Sequence, residues 1–272
     1  MDNYHTLINL SRLQDLYRLF ADKPITIKVL KIDIRSHCVT ITSSECAAAK
    51  KTGLTDLASS SLCNAAMPPA FDQQSYWHNR FLSESTFEWL ISSETFLDVA
   101  APFLCRLPRD APILQLGCGT SDLHIHLRRH GFTNVTNLDY EPLAIERSQA
   151  MERDEFGDIR TTHVVADVLG LDLGRKFDLV LDKSTADAIA CCEGPSVLTM
   201  THRVKNHLTE NGVWLSLSFS ASRFETDDGT LPLRTEIVDR LRTIKGKPSD
   251  PDVFHYCHLL QNRTASTTLG SR

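Results

Sequence analysis

No apolar run in this 272-residue chain approaches the roughly 20 residues that a membrane-spanning helix needs, and the longest candidates, such as Val213 to Phe219, are strand-sized. No membrane partner is expected. A basic excess is missing too. Lysine and arginine number 29 against 34 aspartates and glutamates, a formal net charge of −5, which gives no reason to expect general nucleic-acid binding. The opening Met1-Asp2-Asn3-Tyr4-His5 has no basic n-region, no apolar h-region and no arginine enrichment, so neither a secretory signal nor a transit peptide is expected. Internal repeats are absent. Metal-ligand spacing is absent as well: Cys191-Cys192 is adjacent rather than Cys-x-x-Cys, and no second pair follows. His255 and His258, three apart in a predicted strand, point to opposite faces, and His124 and His126, two apart on a predicted helix, do not meet. No metal is expected. The eight cysteines (Cys38, Cys46, Cys63, Cys105, Cys118, Cys191, Cys192 and Cys257) sit in a chain neither short nor marked for secretion, so a reduced, cytoplasmic protein without a disulfide framework is expected.

What is present is globular composition, 42% hydrophobic and 23% charged, enough for one large domain or two small ones. The composition shifts near residue 70. Leu7, Leu10, Leu13, Leu16-Tyr17 and Phe20 recur at helical spacing, with Pro24 ending that helix. Ile25, Ile27 and Val29 alternate as in a strand, and a second apolar stretch spans Cys38 to Ile41, so a hairpin is conceivable. Residues 43 to 70 are rich in Ser, Ala and Thr and close on Met67-Pro68-Pro69-Ala70, which reads as a linker. The expected division is an extension over 1–70, a main domain over 71–262 and a flexible tail over 263–272.

After Phe71, strand-like runs alternate with helical ones. Strands are expected at Ile113–Leu116, Val135–Leu138, Thr162–Ala166, Phe177–Leu181, Val213–Phe219 and Phe254–Leu260, and helices at Asp122–His130, Leu143–Met151 and Val197–Leu208. This alternation implies an α/β fold with a largely parallel sheet covered on both faces, where ligands bind beyond the carboxyl ends of strands. Those ends carry the chemistry. The first is Leu116-Gly117-Cys118-Gly119-Thr120-Ser121-Asp122, whose glycines permit positive φ and close backbone approach; alone it could be an ordinary tight turn. Twenty positions after Gly119, the second strand ends at Asp139, a carboxylate placed to accept ribose hydroxyls, or else to cap the helix near Pro142. The third ends at Asp167-Val168, where a polar group can meet the adenine amine. The fourth ends in Asp182-Lys183-Ser184-Thr185-Ala186-Asp187, with Ser184 or Thr185 as a competing helix cap. The third glycine of a Gly-x-Gly-x-x-Gly turn is missing, which counts against a pyrophosphate-bearing dinucleotide.

Taken in order, Tyr76-Trp77-His78-Asn79-Arg80-Phe81, Phe87-Glu88-Trp89-Leu90, Gly117 to Ser121, Leu138-Asp139-Tyr140 and Phe177 to Ala188 resemble the class I S-adenosylmethionine-dependent methyltransferases. The likeness is to the group containing the citrate synthase and elongation-factor lysine methyltransferases, over roughly residues 74 to 262. The resemblance implies a Rossmann-like, doubly wound, seven-stranded, mostly parallel sheet with one antiparallel strand near the C-terminus, and S-adenosylmethionine as cofactor. It implies that Gly117, Cys118 and Gly119 line the methionine and ribose, that Asp139 holds the ribose hydroxyls and that Tyr140 flanks adenine. Asp167 and Val168 would read the adenine edge, Asp182 would lie beside the transferred methyl, Arg80 would meet the cofactor carboxylate, and Tyr76, Trp77 and Trp89 would close the pocket. Three positions depart from the group's pattern: Gln115 where an acidic residue is usual, Ser184 where a glycine is frequent, and Ala186 where a bulky residue is frequent. Asp182 and Asp187 are the candidates to accept a proton from an attacking amine. The first expectation is N-methylation of a protein lysine. The alternatives are N- or S-methylation of a small-molecule amine or thiol in a biosynthetic, secondary-metabolite pathway, a non-catalytic binding protein that keeps the fold, and a nicotinamide dehydrogenase.

Overall fold

The computed structural model describes residues 70–192, 194–226, 230–245, 247 and 249–263, and the backbone of 6–9, 28–33 and 38–42. The chain divides into two compact units, Met1–Pro69 and Ala70–Arg272. In the first, β1 (Thr6–Asn9), β2 (Lys28–Asp33) and β3 (Cys38–Thr42) form an antiparallel sheet in the order β1-β3-β2. The helix expected from Leu7 therefore does not begin there. Thr6–Asn9 pairs with Cys38–Ile41, because threonine and isoleucine suit a strand and the partner satisfies the backbone groups. The rest of that expected helix and the Ser/Ala-rich linker lie outside the described residues, as does the tail after Arg263.

The second unit opens with two helices, α1 (Gln74–Ser83) and α2 (Ser93–Leu104). Ser92 starts α2 by accepting the Thr95 N–H on its side chain. There follow β4 (Ile113–Leu116), α3 (Leu123–Arg129), β5 (Val135–Asp139), α4 (Pro142–Phe156), β6 (Thr162–Val165), β7 (Phe177–Lys183), α5 (Thr185–Ile189), α6 (Ser196–Asn206), β8 (Leu208–Ser218), β9 (Leu233–Arg242) and β10 (Phe254–Asn262). Pro142 begins α4, and Gly157, left-handed at φ 78°, follows its last residue.

The seven strands lie in the order β6-β5-β4-β7-β8-β10-β9. Neighbours from β6 to β8 are parallel, and β10 alone is reversed, antiparallel to both β8 and β9. This is the expected Rossmann-like sheet. The period-2 alternation of strand side chains builds a core on each face. Leu114, Leu116, Leu138, Val180 and Trp214 pack with Met200 and Val204 of α6. Ile113, Leu179, Leu215 and Leu217 pack with Phe96 and Ala100 of α2 and Leu127 of α3. Register then sets the site. Leu116 lies opposite Leu138 on one side and Asp182 on the other, and Asp182 lies opposite Ser216, so the loops after β4, β5, β7 and β8 open along one edge.

Candidate functional site

The chain leaves β4 through Gly117 and Gly119, both left-handed at φ 55° and 49°. A Cβ on Gly117 would stand 2.3 Å from Thr185 Oγ1, so glycine lets the loop after β7 seat directly on the turn. Thr185 Oγ1 donates to the Leu116 carbonyl at 2.9 Å, which locks the two loops together. Cys118 is buried, and burial, with Asp139 nearby, pushes its thiol well up; the thiol belongs to the interior.

Asp139 ties two strand ends. Its Oδ2 accepts the Gly119 N–H at 2.8 Å and its Oδ1 the Glu141 N–H at 2.9 Å. Burial lifts the carboxyl to about 6, although these N–H donors pull it down. Each oxygen keeps further acceptor capacity for a hydroxyl. The helix-cap reading of Asp139 gives way, because Glu141 caps α4 and accepts the Leu143 N–H. Tyr140 is half-buried, with burial pushing its hydroxyl upward, and its carbonyl accepts from Gln74 Nε2 at 2.9 Å. Asp167 is exposed, and its Oδ1 accepts the Leu169 N–H at 2.8 Å, opening a 3-10 turn over Val168–Gly170. Val168, at the first position of that turn, buries its apolar side chain in the core with Leu171.

The two carboxylates expected to take a proton have other tasks. Asp182, fully buried, accepts from Thr185 N at 2.7 Å, Ala186 N at 3.3 Å and Ser216 Oγ at 2.7 Å. Burial lifts it to about 6. It caps α5, the task the sequence offered to Ser184 or Thr185. Asp187, also buried, accepts from Ser218 Oγ at 2.5 Å and Arg223 Nε at 2.8 Å on one oxygen. Its other oxygen accepts from Ser184 Oγ at 3.0 Å and Phe219 N at 3.3 Å. A general base must reach its substrate. Donors from the protein reach both oxygens of each, so both carboxylates hold the loops around the end of β7. Ser184, left-handed at φ 75°, explains why a glycine suits that position.

Tyr76, Trp77, Arg80 and Trp89 do converge. The Trp77 and Trp89 rings lie 5.8 Å apart, edge to face, and Trp77 Nε1 donates to the Phe71 carbonyl at 2.8 Å. The Arg80 guanidinium lies 4.6 Å from the Phe87 ring centre and 4.7 Å from that of Trp89. It donates to Glu84 Oε2 at 2.6 Å and to the Tyr76 hydroxyl at 3.2 Å. Sequence reasoning assigned no role to Glu84 or Glu88, and both bind the glycine turn. Glu84 accepts from Thr120 Oγ1 at 2.7 Å; Glu88 accepts from Asp122 N at 2.9 Å and pairs with Lys183. Burial alone pulls the Lys183 ammonium down to about 7, while the Glu88 carboxylate favours its charged form. Gln115 is buried with its Oε1 unpartnered among the described residues. The four histidines set aside as ligands include His124, whose Nε2 meets the Ser148 carbonyl at 3.1 Å and which burial lowers to about 4.

A left-handed glycine turn, a buried carboxylate at the next strand end and a single reversed strand define a Rossmann-like S-adenosylmethionine-dependent methyltransferase. The chain belongs to the methyltransferase-domain family, whose profile matches residues 108–246, and S-adenosylmethionine is its cofactor. It is 49% identical over 199 residues to "Methyltransferase srdJ" of Neurospora crassa, covering 71% of this chain and 84% of that one. It is 35% identical over 133 residues to EEF1A lysine methyltransferase 4 of Mus musculus, covering 45% of this chain and about half, 48%, of the mouse protein. Among solved structures, magnesium protoporphyrin IX methyltransferase from Synechocystis with bound cofactor superposes with a TM-score of 0.51 at 13% identity, over 73% of this chain and 100% of that one, a likeness of fold.

Proposed function

We propose that this methyltransferase acts on a small-molecule nucleophile, an amine or thiol. The observation that carries this is the commitment of Asp182 and Asp187 to protein donors. An aliphatic ammonium, on lysine or on a small molecule, must lose its proton before it can attack, and a carboxylate with spare acceptor capacity is the group suited to take it. Asp187 takes two protein donors on each oxygen, and Asp182 keeps acceptor capacity on Oδ1 alone in a fully buried position, so the site suits an acceptor that arrives neutral, such as a thiol or a neutral amine, or one that loses its proton to water. The relative matched over most of the chain carries no acceptor in its name. A protein lysine is the second reading, favoured by the mouse relative's name.

Bound S-adenosylmethionine supplies an electrophilic methyl group that carries its own leaving group. The work left to this chain is binding and alignment. Asp139 accepts the ribose hydroxyls, Tyr140 and Asp167 flank the adenine, and the backbone at Gly117 and Gly119 gives close approach. Arg80, held between Phe87 and Trp89, neutralises the amino-acid carboxylate, and Tyr76 and Trp77 shield that end from water. Incubation of the protein with methyl-labelled cofactor and cell extract, followed by separation of protein from small molecules, tests the acceptor. Label in the small-molecule fraction is expected. Label confined to protein lysines would establish the second reading.

A further inference from the structure

Thr185 and Gly117 already interlock the loops after β7 and β4. Glu88 supplies a second tie from outside both. Its Oε1 accepts the Asp122 N–H at 2.9 Å and its Oε2 accepts Ser121 Oγ at 3.2 Å, at the far end of the glycine turn. The same Oε2 lies against Lys183 Nζ, at the end of β7. Lys183 also donates to the Ile91 carbonyl at 3.2 Å, so one ammonium grips the segment at Glu88 and again three residues on. The Lys183 side chain is 5% exposed, and an ammonium so enclosed is costly to leave without its partner. The segment is also strained. Leu90 is left-handed at φ 66°, a conformation that persists in a branched residue only where the surroundings hold it. Glu84 adds a further grip through Thr120 Oγ1 at 2.7 Å.

We propose that Glu88 is a positioning residue for cofactor binding. Through Asp122 and Ser121 it fixes the far end of the glycine turn, and through Lys183 it anchors that turn to the end of β7, holding the strap over 84–91 in place. Neither side chain need touch a reactant. A surface ion pair would contribute little; this one joins the glycine turn, the end of β7 and the aromatic wall.

The test uses the full chain with S-adenosylmethionine alone, so it does not depend on the acceptor. Dissociation constants are measured by calorimetry for Glu88→Gln, Lys183→Met, their combination and Lys183→Arg, with melting temperatures alongside. Each charge-removing single substitution is expected to weaken cofactor binding about tenfold, and the double by no more than the worse single, since coupled groups are not additive. Lys183→Arg keeps the cation and is expected to stay near the wild-type constant. If Lys183→Met fails to fold, Glu88→Gln and Lys183→Arg still separate the outcomes. An unchanged constant in Glu88→Gln overturns the proposal, as does a loss in Lys183→Arg as large as that in Lys183→Met.

Discussion

At the scale of single residues, Asp139 contributes to the pH behaviour of the site, alongside Asp182, lifted to about 6, and Lys183, lowered to about 7. Burial lifts the Asp139 carboxyl from 3.8 to about 6, so the folded state favours the protonated form. The sign for stability follows: the contribution is full below pH 3.8 and is lost as pH rises through about 6. Cofactor binding runs the other way, because ribose hydroxyls donate best to the ionised oxygens. Calorimetry on either side of pH 6 should therefore show affinity rising with pH. Asp139→Asn should weaken binding by about 1.5–3 kcal/mol, the range for a hydrogen bond to a charged group. Asp182→Asn tests the holding role. An amide cannot accept from all three donors around it, so stability should fall by about 1–3 kcal/mol while turnover persists below the melting transition. Asp139 and the glycines were legible in the sequence because strand-end chemistry sits at fixed offsets. Glu84 and Glu88 were not, since their partners Thr120 and Asp122 lie 36 and 34 positions away and no local pattern signals the contact.

At the scale of elements, a buried carboxylate joins α3, α4 and β6. Glu152 on α4, at 0% exposure, accepts from Arg128 Nη1 at 2.7 Å, from Arg160 N at 3.1 Å and from Thr161 N at 3.2 Å, and meets His163 Nε2 at 3.2 Å. Burial raises its pKa, and the hydrogen bonds from Arg128 and the two backbone N–H groups outweigh that and lower it. The contribution is thus present above the usual glutamate value and lost as pH falls through the lowered one. Glu152→Ala removes the shared acceptor of Arg128, Arg160 N and Thr161 N while Asp158 still pairs with Arg128, and should destabilise by about 1–3 kcal/mol in denaturant melts. Most strands were legible as apolar runs; β9 was not. Its Leu-Arg-Thr-Glu-Ile-Val-Asp-Arg-Leu-Arg carries charge at half its positions, because an edge strand has one neighbour and much of its surface faces water. Likewise β8 starts at Leu208, where the helical pattern of α6 had seemed to continue.

At the scale of the whole molecule, every site contact described falls within Ala70–Arg272, and both hydrophobic cores close inside that unit. A chain starting at Ala70 should unfold in one cooperative transition and bind S-adenosylmethionine with the affinity of the full protein, as calorimetry and a thermal melt would register. The position of β10 has a consequence for synthesis. It is the last strand in sequence, yet it lies between β8 and β9 and supplies Leu259 to one core and Leu260 to the other. On the ribosome β9 therefore emerges before its sole sheet neighbour and must wait, unpaired, for the residues after Phe254. The nascent chain can assemble β4 to β8 in order of translation, but its sheet is sealed only from the carboxyl end. The charges along β9 give that waiting strand a means of staying clear of other chains.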